Sequence, residues 1–186
     1  MAKKRFAPPY NEGFDEEDIA FSNGKTEYSK NFRELKKFLS KADLQKSPIK
    51  LTEKQELFSK TVRDNTITVC TGTYGTAKTF VSCWTALNLL AEGKVDKIIL
   101  TKPIQESGEN IGFLKGTLEE KIDPYVQSFK YTFLKMIPPQ TYEFLVGQNY
   151  IEFKPIAYML GATFDNCVML LDEAQNLTAK QLMLWI

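Results

Sequence analysis

The sequence predicts an α/β fold built around a parallel β-sheet, and three stretches carry this prediction. Residues 66–70 are rich in β-formers and run into a glycine-rich turn followed by a helical pattern. Residues 97–101 (K-I-I-L-T) form a β-branched run after that helix, and residues 167–171 (C-V-M-L-L) form a continuously apolar run before two acidic residues. A strand, a helix and a second strand in this order are typical of parallel pairing. A continuously apolar strand is expected to be covered on both faces.

Composition describes an ordinary globular chain of one domain. The 186 residues are 43% hydrophobic and 25% charged, and no apolar run is long enough to span a membrane. The N-terminus lacks the apolar region of a secretory signal. The three cysteines lie in apolar runs, which predicts buried, reduced thiols in a cytoplasmic protein: Cys70, Cys83 and Cys167.

The absence of histidine narrows the chemistry that this chain can perform. With no His there are no Ser-His or Cys-His triads and no His-ligated zinc, so catalysis would use carboxylates, Lys, Tyr or a bound metal. The net charge of +1 gives no overall attraction to nucleic acid.

Capping signals mark the ends of several predicted helices. Residues 1–28 are polar with clustered charge and are expected to form a flexible arm, and residues 29–39 show an amphipathic helical pattern. Thr-x-x-Gln boxes open helices at residues 52–64 and from Thr178 onward. Asp123-Pro124 resembles an N-cap followed by Pro at the first helical position.

The glycine-rich turn has the pattern of a phosphate-binding loop. Residues 72–79 read G-T-Y-G-T-A-K-T against the consensus G-x-x-x-x-G-K-[ST]. Backbone N–H groups of such a loop surround nucleotide phosphates, with help from the positive end of the following helix. Lys78 would meet the β- and γ-phosphates, and Thr79 would offer its hydroxyl to Mg²⁺. The remaining loop positions predicted to line the nucleotide are Gly72, Thr73, Tyr74, Gly75, Thr76 and Ala77.

A second group of candidate residues follows the apolar run 167–171. Ligands of parallel sheets bind at the carboxyl ends of strands, so Asp172 could hold Mg²⁺ and Glu173 could orient or deprotonate an attacking water. The loop and the acidic pair together predict a P-loop nucleoside triphosphatase.

From residue 51 to the C-terminus the chain resembles the PhoH family. The blocks between the nucleotide motifs carry the resemblance. They are L-T-E-K-Q at 51–55, L-T-K-P-I-Q-E-S-G-E-N-I-G-F-L-K-G at 100–116, E-K-I-D-P-Y at 120–125, P-I-A-Y-M-L-G-A-T-F at 155–164 and L-D-E-A-Q-N at 171–176.

The resemblance implies a RecA-like P-loop ATPase core, a three-layer sandwich similar to that of superfamily one helicases. It implies ATP and Mg²⁺ as ligands, handling of single-stranded RNA or DNA, and ring-like homo-oligomers. Gln55 resembles the glutamine that reads adenine, although its capping box gives it a structural role as well. Gln175 resembles the glutamine that senses the γ-phosphate. Lys102 stands where the family usually has Arg, and the block 102–116 resembles the region with which helicase-like cores contact the nucleic-acid backbone.

Three departures from the family pattern qualify these expectations. Ala77 replaces the last loop glycine, and an alanine is tolerable there if its φ is negative. Tyr74 is bulkier than the small residue expected at its position, and its side chain either covers the nucleotide or packs against the protein. The domain, residues 29–186, stops soon after the acidic motif. The next strand of a RecA-like sheet, with its polar sensor, and the arginine finger are absent, so we expect a truncated product whose sheet has an unfilled slot.

Two alternatives to a nucleic-acid-coupled ATPase stay open. The first is a module that binds nucleotide without turnover, because the sensor and finger are absent. The second is a small-molecule P-loop kinase, against which the presence of only three arginines argues: Arg5, Arg33 and Arg63.

Overall fold

The computed structural model describes residues 49–103, 118–156 and 161–185, together with Leu35, Leu39 and Met159. The side chains of residues 118–122 and Leu184 are outside this description. The predicted arm at 1–28 and most of the block at 100–116 also lie outside it. Of the predicted helix at 29–39, the structure describes two residues, Leu35 and Leu39, and both are helical and buried.

Five α-helices, three strands and a short 3-10 turn make up the described elements. In chain order they are α1 (Glu53–Asp64), α2 (Lys78–Ala91), β1 (Lys97–Thr101), α3 (Leu118–Phe133), α4 (Pro139–Gly147), β2 (Ile151–Phe153), β3 (Cys167–Leu171), the 3-10 turn Ala174–Asn176 and α5 (Ala179–Trp185). Within the described residues, no helix combines the length and apolar character that crossing a bilayer requires.

The three strands form a parallel sheet in the order β2-β1-β3, which confirms the predicted α/β class. β1 is central, and its residues Ile98 to Thr101 are almost wholly buried. β1 pairs with β3 from Lys97 opposite Cys167 to Thr101 opposite Leu171. The carboxyl ends of these two strands therefore finish level with each other at one edge of the sheet, where the two candidate motifs can meet.

The predicted strand at residues 66–70 is wrong as a sheet member, because the structure gives this segment no strand pairing. Ile67 and Val69 are 55% and 82% exposed. A strand needs a neighbour for its backbone N–H and C=O groups. In the described part of the chain β3 pairs with β1 alone, so the sheet is incomplete on the side of β3 away from β1.

The expectation that β3 is covered on both faces is also wrong. All five of its residues are only half-buried, whereas the equally apolar β1 is buried. The difference follows from position, because β1 has a strand on each side and β3 has one only.

One helical layer packs on one face of the sheet and forms the core. Cys83, Leu87 and Leu90 of α2 and Phe129 and Phe133 of α3 lie in one buried cluster. From the sheet this cluster takes alternate residues, as expected for side chains that point to one face: Ile98, Leu100 and Ile151, with Val168 and Leu170 packed against them.

Local capping signals are confirmed at two helices. Thr52 and Gln55 form the capping box of α1, with Thr52 N–H donating to Gln55 Oε1 at 3.0 Å and Gln55 N–H donating to Thr52 Oγ1 at 3.4 Å. The same reciprocal bonds join Thr178 and Gln181 before α5. Both predictions needed only residues three positions apart, which is why they could be made locally.

Asp123-Pro124 does not open a helix. α3 already begins at Leu118, so Pro124 lies inside it rather than at its first position. Proline inside a helix removes one backbone hydrogen bond.

Candidate nucleotide-binding site

The loop at residues 71–77 joins the irregular segment 66–70 to the N-terminus of α2 and is open to solvent. Gly75 has φ +78°, a left-handed conformation that glycine adopts without steric cost. The hydroxyl of Thr76 donates to the carbonyl of Thr73 at 2.9 Å and closes the turn. At Gly72 an added Cβ would come within 3.6 Å of Thr76 Oγ1 and 3.8 Å of Lys78 Cδ, so the first glycine lies against the same cradle.

Ala77 does not have the negative φ that would make an alanine tolerable at this position. Its φ is 63° and its ψ is 28°, so it is left-handed rather than negative in φ. It is the N-cap of α2, it makes no side-chain capping bond, and its carbonyl accepts the hydrogen bond from Val81 N–H at 2.9 Å. A left-handed residue with a Cβ costs roughly 1–2 kcal/mol. The missing glycine is therefore a source of backbone strain and not a neutral exchange.

Lys78 reaches back over the loop that precedes it. Its Nζ donates to the carbonyls of Gly72 at 3.0 Å and Thr73 at 2.9 Å. The ammonium is thus held at the first two residues of the loop, beside the N-terminus of α2. The Lys78 ammonium and the positive end of the α2 dipole would both attract an anion bound at the loop.

Tyr74 stands at the tip of the loop with its side chain fully exposed. It does not pack on the described part of the chain, so of the two roles considered for it, packing is excluded there. Covering a bound nucleotide stays a prediction.

The two motifs predicted from sequence are in direct contact. The hydroxyl of Thr79, in the first turn of α2, donates to Asp172 Oδ1 at 2.9 Å. Asp172 follows β3, and its backbone N–H donates to the carbonyl of Thr101 at 3.0 Å, which continues the β1–β3 pairing by one residue. The sheet therefore carries the carboxylate to the end of the phosphate loop.

Lys102, which was expected only at the start of a block resembling a nucleic-acid-contacting region, also contacts the candidate site. Its Nζ lies 3.5 Å from Asp172 Oδ2. A sequence signal for this contact exists, since Lys102 and Asp172 directly follow the ends of two strands that pair in parallel and in register.

Cys83 lies in the helix that follows the phosphate loop. Burial, with a smaller effect from the nearby Asp172, raises the pKa of its thiol.

Glu173, Gln55 and Gln175 each bond to another residue of the chain. Glu173 is left-handed, with φ 55°, and Gln175 Nε2 donates to its Oε2. Gln55 adds to its capping box a bond from Nε2 to the carbonyl of Thr76 at 3.5 Å. Gln55 therefore contacts the phosphate loop, and the side-chain amide of Gln175 is bonded to the Glu173 carboxylate.

The donor set suits Mg²⁺, because it consists of a hydroxyl and carboxylates. Thr79 Oγ1 and Asp172 Oδ1 are 2.9 Å apart. Adjacent oxygens of an octahedral Mg²⁺ with bonds of about 2.0–2.1 Å would be separated by a similar distance, roughly 2.9 Å. Across the described residues, no group of three or more Cys, Asp or Glu side chains forms an all-protein metal cage. The site therefore fits an ion that takes most of its ligands from nucleotide and water.

Comparison with known proteins finds similar sequences. The sequence model of the family described as "PhoH-like protein" matches residues 49–186. The chain is 37% identical over 131 residues to a "PhoH-like protein" of Synechocystis sp., covering 70% of this chain and 40% of the relative.

Two further relatives show the same partial coverage. The chain is 39% identical over 135 residues to a "PhoH-like protein" of Mycobacterium tuberculosis, covering 73% of this chain and 38% of the relative. It is 33% identical over 143 residues to "Protein PhoH" of Escherichia coli, covering 75% of this chain and 40% of the relative. The matched region thus spans about two fifths of the length of these relatives.

Proposed function

This chain belongs to the PhoH-like family, and from that premise we propose that it binds ATP with Mg²⁺ and hydrolyses it in the course of handling single-stranded RNA or DNA. The observation that supports the proposal best is the 2.9 Å hydrogen bond from Thr79 to Asp172. It brings the loop and the acidic motif together at the carboxyl edge of a parallel sheet, which is where such sheets bind ligands.

Each residue of the proposed site has a role that follows from its position. Lys78 binds the terminal phosphates, because its ammonium already lies over the loop at the helix N-terminus. Thr79 and Asp172 would hold Mg²⁺, which supplies charge to polarise the phosphate oxygens. Glu173 orients the attacking water, and Gln175 holds the Glu173 carboxylate in place until a terminal phosphate arrives.

Gln55 has a dual role in the proposal. Its side-chain oxygen is committed to the capping box, while its amide nitrogen makes only a 3.5 Å bond to Thr76. This bond is at the long limit for a hydrogen bond, so the amide can be released to adenine at little cost. We propose that Gln55 reads the base while it continues to cap α1.

One observation favours a second candidate, a nucleotide-binding module without turnover. Arg63 is the only arginine in the described residues, and it bonds to Glu92 at 2.8 Å, just past the C-terminal end of α2. It is therefore at the opposite end of α2 from Lys78. Within the described residues, no arginine is therefore placed to stabilise the transition state of phosphoryl transfer.

The proposal is tested by nucleotide binding first and by turnover second. A fluorescent ATP analogue is titrated with Mg²⁺ into the wild-type chain, into Lys78→Ala and into Lys60→Ala, whose exposed lysine on α1 serves as the control. We expect Lys78→Ala to abolish binding and Lys60→Ala to bind as the wild type does. Equal affinity in wild type and Lys78→Ala would refute the assignment.

Phosphate release from ATP is then followed with and without single-stranded RNA and DNA. Release that rises with either polymer supports a coupled ATPase. Tight binding with no release under any of these conditions supports the module without turnover. Polymer binding itself should weaken steeply with salt if phosphate contacts carry it. Light scattering in the presence of ATP tests whether the chain also forms the ring-like homo-oligomer that the family resemblance implies.

A further inference from the structure

The ion pair between Lys102 and Asp172 is a product of strand register. Thr101 lies opposite Leu171 in the β1–β3 pair, and the next residue on each strand is one of the two charged partners. The two side chains are equally exposed, at 21% each, and Nζ is 3.5 Å from Oδ2. The backbone positions of the two charged residues are therefore set by the pairing of β1 with β3.

Both oxygens of Asp172 are engaged. Oδ1 accepts the hydroxyl of Thr79, and Oδ2 faces the ammonium of Lys102. An ammonium has three donors and no lone pair, so it cannot become a metal ligand. A divalent cation and Lys102 would be like charges competing for one carboxylate, because each gains its stabilisation from the same negative group.

From this arrangement we infer that Lys102 is an internal counter-ion of the nucleotide site. It neutralises Asp172 in the cation-free protein and gives up the carboxylate when a divalent cation binds there. The ammonium group of Lys102 then forms an ion pair with the terminal phosphate of the bound nucleotide. The second step rests on the proposed function; the first depends only on the ion pair.

The terminal phosphate is the nearest new partner that the geometry offers. A lysine only 21% exposed is costly to leave without an anion. Asp172 is hydrogen-bonded to Thr79, next to the lysine that holds the phosphate loop, so phosphates in that loop lie on the same side of the sheet edge. Lys102 would thus exchange one anionic oxygen for another without leaving the site.

A matched control exists at the other end of the same strand. Lys97 begins β1 and lies 3.4 Å from Glu152 Oε1 on β2. It is a lysine–carboxylate pair at nearly the same distance at the amino end of β1, although Glu152 also pairs with Lys154 at 2.9 Å. Lys97→Met therefore reproduces the loss of a strand-end lysine without touching Asp172.

The first test uses Mn²⁺, an oxygen-binding cation that electron paramagnetic resonance detects, with no nucleotide present. Wild type, Lys102→Met, Lys102→Gln, Lys102→Arg and Lys97→Met are titrated, and circular dichroism checks that each is folded. We expect the two neutral variants at Lys102 to lower the half-saturating Mn²⁺ concentration by about three- to tenfold, as loss of a partly buried competing charge implies. Lys102→Arg and Lys97→Met should match the wild type.

Three results would overturn the counter-ion role. One is an unchanged or higher Mn²⁺ requirement in the folded neutral variants. Another is the same shift in Lys97→Met, which would mean that overall charge and not the pair is responsible. The third is no Mn²⁺ binding by any of the proteins. None of these results depends on ATP.

The second test asks which phosphate the released Lys102 ammonium contacts. Binding of a non-hydrolysable ATP analogue, of ADP and of a single-stranded oligonucleotide is compared at saturating Mg²⁺. Lys102→Met should weaken binding of a non-hydrolysable ATP analogue about tenfold more than binding of ADP, since only the former carries the terminal phosphate. Equal effects on ATP analogue and ADP, or a loss confined to a single-stranded oligonucleotide, would overturn the nucleotide assignment. If the wild type binds no nucleotide at all, the proposed function fails, and the transfer step fails with it, while the Mn²⁺ result still judges the counter-ion role.

Discussion

The hydroxyl of Thr79 donates a 2.9 Å hydrogen bond to Asp172, which lies 93 residues away in the sequence. This bond joins the helix that follows the phosphate loop to the strand end that carries the acidic motif. It is the only side-chain hydrogen bond between these two motifs among those found in the described part of the chain. Its removal should therefore affect both stability and cation-dependent binding.

Thr79→Val removes the hydroxyl and keeps the shape. A hydrogen bond to a charged group contributes about 1.5–3 kcal/mol, so we expect the free energy of unfolding to fall by roughly that amount in urea titrations. The Mg²⁺ concentration needed for ATP binding should rise about tenfold. Thr79→Ser keeps the hydroxyl and serves as the control. If Thr79→Ser and Thr79→Val bind ATP alike, the hydroxyl has no role in the site.

Ala77→Gly should stabilise the chain, because it relieves a left-handed alanine. The relief of roughly 1–2 kcal/mol is partly offset by the greater freedom of glycine in the unfolded chain, which leaves a gain of about 0.5–1 kcal/mol. In a thermal scan this corresponds to a rise of roughly 1–4 °C.

The control for this exchange is Ala86→Gly, the same change inside α2 at a fully buried position. It should lower the melting temperature, because a helix interior disfavours glycine. A fall in melting temperature for Ala77→Gly as well would contradict the left-handed assignment.

Glu173→Gln should separate binding from turnover. The amide keeps the size of the side chain but cannot accept a proton, so phosphate release should fall by about 10²–10⁴-fold, while ATP affinity changes by less than about threefold. Glu143→Gln, on the exposed face of α4, is the control. Phosphate release at the wild-type rate from Glu173→Gln would rule out a role for this carboxylate in activating water.

The three cysteines should react with iodoacetamide at different rates, because the fold buries them to different extents. Cys70 is exposed, contrary to the prediction of a buried thiol, because the segment at 66–70 is not covered by a neighbouring strand. Burial and, to a smaller extent, Asp172 raise the pKa of Cys83, and burial raises that of the half-buried Cys167. The thiolate is the reactive form, so at pH 8 we expect peptide mass spectrometry to find Cys70 modified at least about tenfold faster than Cys83.

The same pKa shift implies a loss of stability in alkali. A thiol whose pKa is raised by folding stays protonated in the native state while the unfolded chain releases its proton, so stability falls as the pH rises above the ordinary value of 9.0. Cys83→Ala should show a smaller decrease in melting temperature between pH 8 and pH 10. An equal decrease in both proteins would show that Cys83 does not contribute to it.

Val69→Lys should reduce self-association. Val69 is 82% exposed in an apolar segment that has no strand pairing in the described part of the chain, and exposed apolar segments with unpaired backbone groups promote aggregation. Light scattering at increasing protein concentration should show a lower average mass. Tyr131→Lys removes a 65% exposed aromatic side chain from α3 and is the control, because it lies on a helix whose backbone groups are paired. Equal effects of both changes would show that general surface polarity is responsible.

Much of the secondary structure could be predicted because its causes are local. Thr52 with Gln55 and Thr178 with Gln181 satisfy each other across one helical turn, and β1 and β3 occupy the residues that their apolar runs predicted. The candidate site also follows from a local pattern, since the spacing of the loop residues through Thr79 is set by a single turn and helix start. Asp172 was expected at the ligand-binding edge because it follows the apolar run 167–171, and parallel sheets bind ligands at the carboxyl ends of their strands.

The remaining features depend on partners that are distant in sequence. Residues 66–70 have a strand composition but no neighbouring strand, which leaves Cys70 and Val69 exposed. The φ of Ala77 is imposed by how the loop enters α2, and a one-residue pattern cannot show it. Lys102 meets Asp172 only because β1 and β3 pair in one particular register. A capping bond is decided within one turn of chain, whereas pairing, burial and backbone strain are decided by what the rest of the molecule places alongside.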